Sequence, residues 1–351
     1  MTCLVLGVAL SASSALAFRV VGSSGGWLRW DAAPRFIGGE DRSLDGGLRY
    51  SIETGTYAGL RDQFMWLAGN VPSEEAFAAA IARAFEHWTI VDPETALPAA
   101  FYFVEDLATT AIDVPGNPHN PNSFLGLNAG AEIDIFAETP HAGSSFAASV
   151  QFFVDTVEDD LTLTSGTTNY PGLAISGVDI RINPAFVWSL NAFEVLLTHE
   201  IGHAIGLADL EASSIAGSVS AFLDDDYDPT SSASALATLT NSFALSIDPL
   251  DPDTSSLQSF VPDLATDPGL ETAGVRLLME SDGIFDLLGA DPVLQNDEFA
   301  GRQFLYPVPV PEPDSGAMLM LGFAGLVLWV GYRRTRVEPV SSRGDRADRV
   351  R

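Results

Sequence analysis

The chain has 351 residues, enough for one large domain or two small ones, and its 46% apolar share can supply a sizeable core. All 17 basic residues are Arg, against 47 acidic ones, and seven of the Arg follow Tyr332; the rest of the chain carries 10 basic and 44 acidic residues, a charge that repels nucleic acid and anionic lipid. Cys3 is the only cysteine, which excludes an internal disulfide and a thiolate metal site.

Taken in chain order, Leu4 to Leu10 is a short apolar run ending in Ala15-Leu16-Ala17. It reads as a secretory h-region with a small-residue cleavage site before Phe18, so residues 1–17 are expected to be a signal peptide. The basic n-region is missing, which a true start further upstream would explain; the alternative is a buried N-terminal strand. Phe18 to Gly47 is rich in Gly and Ser, and residues 18–48 are expected to be loosely ordered.

Leu48 to Ile52 alternates as a strand does. Ser73 reads as the N-cap of a helix that opens with Glu74 and Glu75 and places Phe77, Ile81, Ala84 and Trp88 on one face. Phe101 to Val104, Ala131 to Phe136, Phe146 to Val154 and Val178 to Ile182 read as strands. Asn191 reads as the N-cap of a second helix, with Glu194 completing a capping box, running to about Leu207. Residues 212–274 are Ser-, Ala- and Asp-rich with weak periodicity and read as a long insertion. Val275 to Met279 leads into a turn at Gly283, and Asp297 to Tyr306 reads as a closing helix stopped by Pro307.

The C-terminal segment, 309–351, has three parts in order: Val310-Pro311-Glu312-Pro313, the apolar run 317–332, and Arg333, Arg334 and Arg336. The run is shorter than the ~20 residues that span a bilayer comfortably. This arrangement resembles the PEP-CTERM sorting signal of bacteria, although the tail after Arg336 is longer than usual. The resemblance implies processing by an exosortase and export to the surface or medium of a Gram-negative cell. Membrane contact would then be made only by the C-terminal helix before processing, with the basic end cytoplasmic. An ordinary single-span anchor is the alternative.

The chemistry concentrates in His199-Glu200-Ile201-Gly202-His203. Two His four apart on a helix point the same way and can grip one Zn2+, while Glu200 can reach a water on the metal. This is the H-E-x-x-H arrangement of zinc peptidases: the metal acidifies the water and polarises a peptide carbonyl, and Glu200 is the general base. Two unrelated His on one helix is the bland alternative. A third ligand is needed. Gly206 can stop the helix, the chain turns back, and Asp209 follows three residues later. Glu211 competes with Asp209 as that ligand, and a solvated loop acid is the other reading of Asp209.

The full string, His199-Glu200-x-x-His203-x-x-Gly206-x-x-Asp209, resembles the metzincin zinc string with Asp in the place of the third His, as in snapalysin-type members. Ala84-Phe85-x-x-Trp88, Ala131 to Ile135, Asp179 to Asn183 and Asn296 to Tyr306 are similar, in that order, to stretches of the matrixin branch. The resemblance implies an α+β fold over residues 49–308, interrupted by the 212–274 insertion. It would have a twisted, mostly parallel sheet with two main helices, an active-site zinc helix and a C-terminal helix. It also implies a Met-turn, for which Met279 is the candidate, with an ordinary core Met as the alternative. A second zinc site would have only His87, His119 and His141 and is not expected. Asp224, Asp226 and Asp228 are candidate Ca2+ ligands, but Pro229 stands where an EF-hand has Gly, so a solvated acidic loop competes. The expected activity is that of an exported Zn2+ endopeptidase acting on protein or peptide. The rival is a non-catalytic surface or extracellular-matrix protein that keeps the scaffold.

Overall fold

The structure, a computed structural model, describes residues 17–23, 26–37, 39–111, 130–139, 147–155, 160–210, 219–224, 228, 230–239, 258–260, 277–280 and 292–308. Residues 1–309 form one compact unit and 310–351 another. The second unit, with the expected sorting signal, lies outside the described residues, as do residues 1–16. Among the described residues no helix is long and apolar enough to cross a membrane.

The elements in chain order begin with β1 (Ala17–Ser23), β2 (Gly26–Trp30), β3 (Phe36–Ile37), β4 (Glu40–Asp41), β5 (Leu48–Ile52), α1 (Tyr57–Arg61), β6 (Met65–Trp66) and α2 (Glu74–His87). They continue with β7 (Phe103–Glu105), β8 (Ile133–Ala137), β9 (Ala148–Asp155), β10 (Leu173–Ile182), β11 (Val187–Trp188) and α3 (Leu190–Ala204). The last are β12 (Val219–Asp224), α4 (Ser232–Leu239), β13 (Gln258–Phe260) and α5 (Asn296–Leu305). The fold is α+β with a mostly parallel central sheet.

The long strand β10 organises that sheet. Its first half pairs with β2 and its second half with β8, both in parallel, while β9 runs antiparallel to it from Ala148 to Asp155. Because β9 overlaps both halves, it holds one edge of β10 by itself and β2 and β8 share the other. Beyond β8 come β5 and β7, again parallel. One sheet face is apolar: Leu48, Ile52, Ile133, Ile135, Val178, Ile180 and Ile182 are buried. The helices α2 and α3 pack together, α3 also against β9 and β10, and Tyr50 stacks on Phe85 of α2 at 4.0 Å. The other face is polar and still buried. Ser51, Asp134, Asp179 and Gln151 stand opposite one another across four strands. Buried charge is costly unless paired, and this face pairs it: Arg49 and Arg42 meet Glu132, and Arg181 meets Asp179 and Glu138.

Ser73 caps α2 as expected, its hydroxyl accepting from the Ala76 N–H at 3.1 Å, and Phe77, Ile81, Ala84 and Trp88 are all fully buried. The start of α3 differs from expectation. Its N-cap is Ser189, whose hydroxyl accepts from the Ala192 N–H at 3.1 Å, so Asn191 already lies inside the helix. Ser189 has the extended backbone a cap needs and offers the same acceptor two residues earlier. Glu194 does not fold back on the cap; it reaches across to Arg83 of α2, at 2.8 and 2.5 Å.

The segment expected to be loosely ordered is also different. It forms β1 and β2, which continue the sheet, and the small β3–β4 ribbon, and it buries Arg29, Trp30 and Arg42. Its Gly and Ser belong to paired strands and tight turns rather than slack chain: Gly22 and Ser23 pair with Trp27 and Gly26 of β2, and Gly39, Gly46 and Gly47 take the positive φ of turns. Part of the 212–274 insertion is likewise regular, because β12 pairs antiparallel with β1 from Ala17↔Asp224 to Gly22↔Val219, and β13 adds to β12.

Candidate metal centre

Helix α3 is buried on nearly all sides, which explains why its sequence is apolar all round rather than striped. His199 and Glu200 are each 4% exposed. One turn apart, the two imidazole Nε2 atoms converge on a single atom, Asp209 Oδ1, at 3.1 Å from His199 and 3.2 Å from His203. Neither contact has hydrogen-bond geometry, and Asp209 Oδ1 is buried without a hydrogen-bond partner. Three donor atoms thus crowd a shared point without bonding to one another. Among the described residues this is the group of His, Cys, Asp and Glu whose ligand atoms could hold a metal ion.

Both imidazoles are held from behind. His199 Nδ1 donates to the Leu278 carbonyl at 2.6 Å and His203 Nδ1 to the Leu207 carbonyl at 2.9 Å. A carbonyl only accepts, so each Nδ1 carries a proton, which leaves Nε2 as the ring atom whose lone pair can face the common point when a metal displaces the second proton. The residues present therefore fit a divalent ion of the kind that takes two imidazoles and a carboxylate.

Asp209 reaches the site because α3 ends abruptly. The Gly206 N–H donates to His203 O at 2.7 Å and the Leu207 N–H to Gly202 O at 3.0 Å, the paired bonds of a Schellman turn. Gly206 has φ +102°, and a Cβ there would lie 2.5 Å from the Leu28 carbonyl oxygen, so only Gly fits. The helix consequently stops at Ala204 rather than near Leu207. Trp30 Nε1 donates to Ala204 O at 3.0 Å and the Tyr306 hydroxyl to Ile205 O at 2.7 Å, satisfying carbonyls the helix end leaves open.

The electrostatics follow from this crowding. Burial alone would lower both imidazole pKa values, but the Asp209 carboxylate outweighs it; His199 is raised, and His203 is raised to about 9. Burial would raise Asp209, yet His203 and His199 hold it well below the ordinary carboxylate range. Glu200 goes the other way. Burial pushes its carboxyl up, the two imidazoles pull against that, and the Asp209 charge adds to the rise. Its Oε2 is buried and has no hydrogen-bond partner.

Met279 lies beneath α3. A methyl group added at Gly202 would overlap the Met279 sulfur and come within 2.6 Å of the Trp88 ring. The Met279 carbonyl accepts from Leu210 N–H at 3.0 Å, and its own N–H donates to Glu298 Oε1 at 3.1 Å. The short turn 277–280 is therefore bonded to His199, to the segment beside Asp209 and to α5.

A scan against protein-family models gives no match, and no curated protein matches the chain. The site is thus read from its own geometry. Glu211, Asp226, His119 and His141 lie outside the described residues. His87 is half-buried and 4.0 Å from Glu194. Asp224 ends β12 opposite Ala17, and Asp228 accepts from the Thr230 N–H at 3.0 Å in the turn before α4. Trp30 and Arg19 support the site but escaped the sequence reading, and Glu298 and Tyr306 were read there only as parts of the closing helix, because each acts through a backbone group elsewhere in the chain that no motif spacing marks.

Proposed function

We propose that the chain is a zinc endopeptidase of the metzincin type, with His199, His203 and Asp209 as metal ligands, Glu200 as general base and Met279 as the Met-turn residue. One observation carries the reading: two oriented Nε2 atoms and a carboxylate oxygen meet at one point, and the residue following the first His holds a buried carboxylate with an open oxygen. Zn2+ bound there supplies Lewis acidity, polarising a peptide carbonyl and making a water easier to deprotonate. Glu200 Oε2 takes the proton from the attacking water and passes it to the departing amine. Its raised pKa makes it a better acceptor of that proton, and it remains a weaker base than the departing amine, so it can pass the proton on.

The sheet supports a peptide substrate. Strand β9 is the antiparallel edge strand, it packs against α3, and among the described residues nothing pairs with its outer edge. An extended peptide can add to such an edge through main-chain hydrogen bonds, which favours recognition by backbone and hydrolysis within a chain. Export, exosortase processing and surface or extracellular placement belong to the same proposal and rest on the two terminal segments of the sequence. Zinc content, together with cleavage of an unfolded casein-like substrate by the purified protein and its loss in Glu200→Gln, tests the function. A zinc-loaded protein with no hydrolytic activity on any unfolded substrate would favour the scaffold reading.

A further inference from the structure

Before its hairpin with β2, strand β1 lies between two further neighbours. One is β12; the other is the chain leaving α3, where Val20 bridges Leu207 and the Val21 N–H donates to Gly206 O at 2.8 Å. At Arg19 the contact becomes double. The Arg19 carbonyl accepts from the Ala208 N–H at 2.9 Å, and its guanidinium Nη1 donates to the Leu210 carbonyl at 3.0 Å. One residue therefore grips the chain immediately before and immediately after Asp209.

Arg19 is 4% exposed. A buried guanidinium is tolerated only where its N–H groups find acceptors, and the Leu210 carbonyl is one such acceptor. What an apolar side chain cannot do is hold the Leu210 carbonyl. Asp209 sits in irregular chain past a Gly turn, where a carboxylate keeps its aim only if the flanking backbone is fixed.

We infer that Arg19 is a positioning residue for the third metal ligand: by clamping Ala208 and Leu210 it aims the Asp209 carboxylate at His199 and His203. The inference rests on the reading of these three as a metal site. It assigns the N-terminal strand a role in metal binding and makes β12, through its pairing with β1, the outer brace of that clamp.

The test uses the full-length chain and measures Zn2+ affinity by competition with a chelating dye, the visible spectrum of the Co2+-substituted protein, and unfolding of the metal-free protein. Arg19→Met should weaken Zn2+ binding about 10–100-fold and alter the Co2+ spectrum, and Arg19→Lys, which keeps one donor, should fall between it and the parent. In an Asp209→Ala background the same substitutions should change metal affinity no further, because Arg19 acts through Asp209. An Arg19 variant that folds and binds Zn2+ as tightly as the parent overturns the inference, as does a loss of equal size with and without Asp209. If Arg19→Met fails to fold, the Lys variant decides on the same criteria. A parent that binds no Zn2+, or an Asp209→Ala protein that binds it undiminished, defeats the metal-site reading instead.

Discussion

The imidazole of His199 is fastened to the carbonyl of Leu278 by a 2.6 Å hydrogen bond from Nδ1. Through it a turn 79 positions along the chain sets the tautomer and direction of the ring. The same turn places the Met279 side chain against Gly202. Gly202→Ala should therefore destabilise the protein by roughly 1–3 kcal/mol through overpacking, and should disturb His199 by pushing the turn away. Urea unfolding and metal content of the purified variant would show both effects; unchanged values would mean that the turn yields freely.

Glu200→Gln removes the proton acceptor and keeps the shape. Metal content should be unchanged while turnover drops at least ~100-fold. Full activity in this variant would end the proposed mechanism.

The third ligand is tested by charge. Asp209→Ala should lose most metal on dialysis against a mild chelator, while Glu211→Ala should keep it. Asp209→His should retain metal with one negative charge fewer at the ion, so the acid limb of the rate profile should move to lower pH. Metal loss in Glu211→Ala, with full occupancy in Asp209→Ala, would transfer the role to Glu211.

Glu298 carries a pH signature. Burial raises its carboxyl above 4.5, although the Met279 and Gln295 N–H groups that it accepts from oppose the rise. An acid raised on folding lends stability that is fully present below its unfolded pKa and is lost as pH rises through its folded value. The stability difference between the parent and Glu298→Gln should therefore shift against the parent as pH climbs from about 4.5 through that raised value. Parallel unfolding curves for the two proteins across this range would show that Glu298 does not titrate there.

Sorting predicts a chemical end. The mature native protein should lack the chain beyond about Pro313, and intact-mass measurement reads this directly. A native protein that still ends at Arg351 would reject processing.

The parts of the fold legible in the sequence were those governed by local rules. Leu48–Ile52 appears as the strand its alternation predicts, and Ser73 caps the helix it was expected to cap. Local rules failed where a longer-range contact competed. Glu194 matched a capping box with Asn191, but the pull of Arg83 from α2 and the earlier cap at Ser189 settled the helix start. Residues 18–47 looked slack because their Gly content hides strands stabilised by β10, β12 and the chain after α3. His199, His203 and Asp209 were legible because helix period and a Gly stop bring them together within eleven residues. Arg19 was not, because it reaches Leu210 across 191 positions.

The 277–280 turn also sets an order of events during synthesis. A chain emerging from the ribosome has both histidines and Asp209 long before it has the carbonyl that orients His199 or the Glu298 carboxylate that holds the turn. Pairings this distant in sequence form late. The candidate metal centre is therefore completed only after the closing helix is in place, so a half-made chain carries the motif without the contacts that orient it.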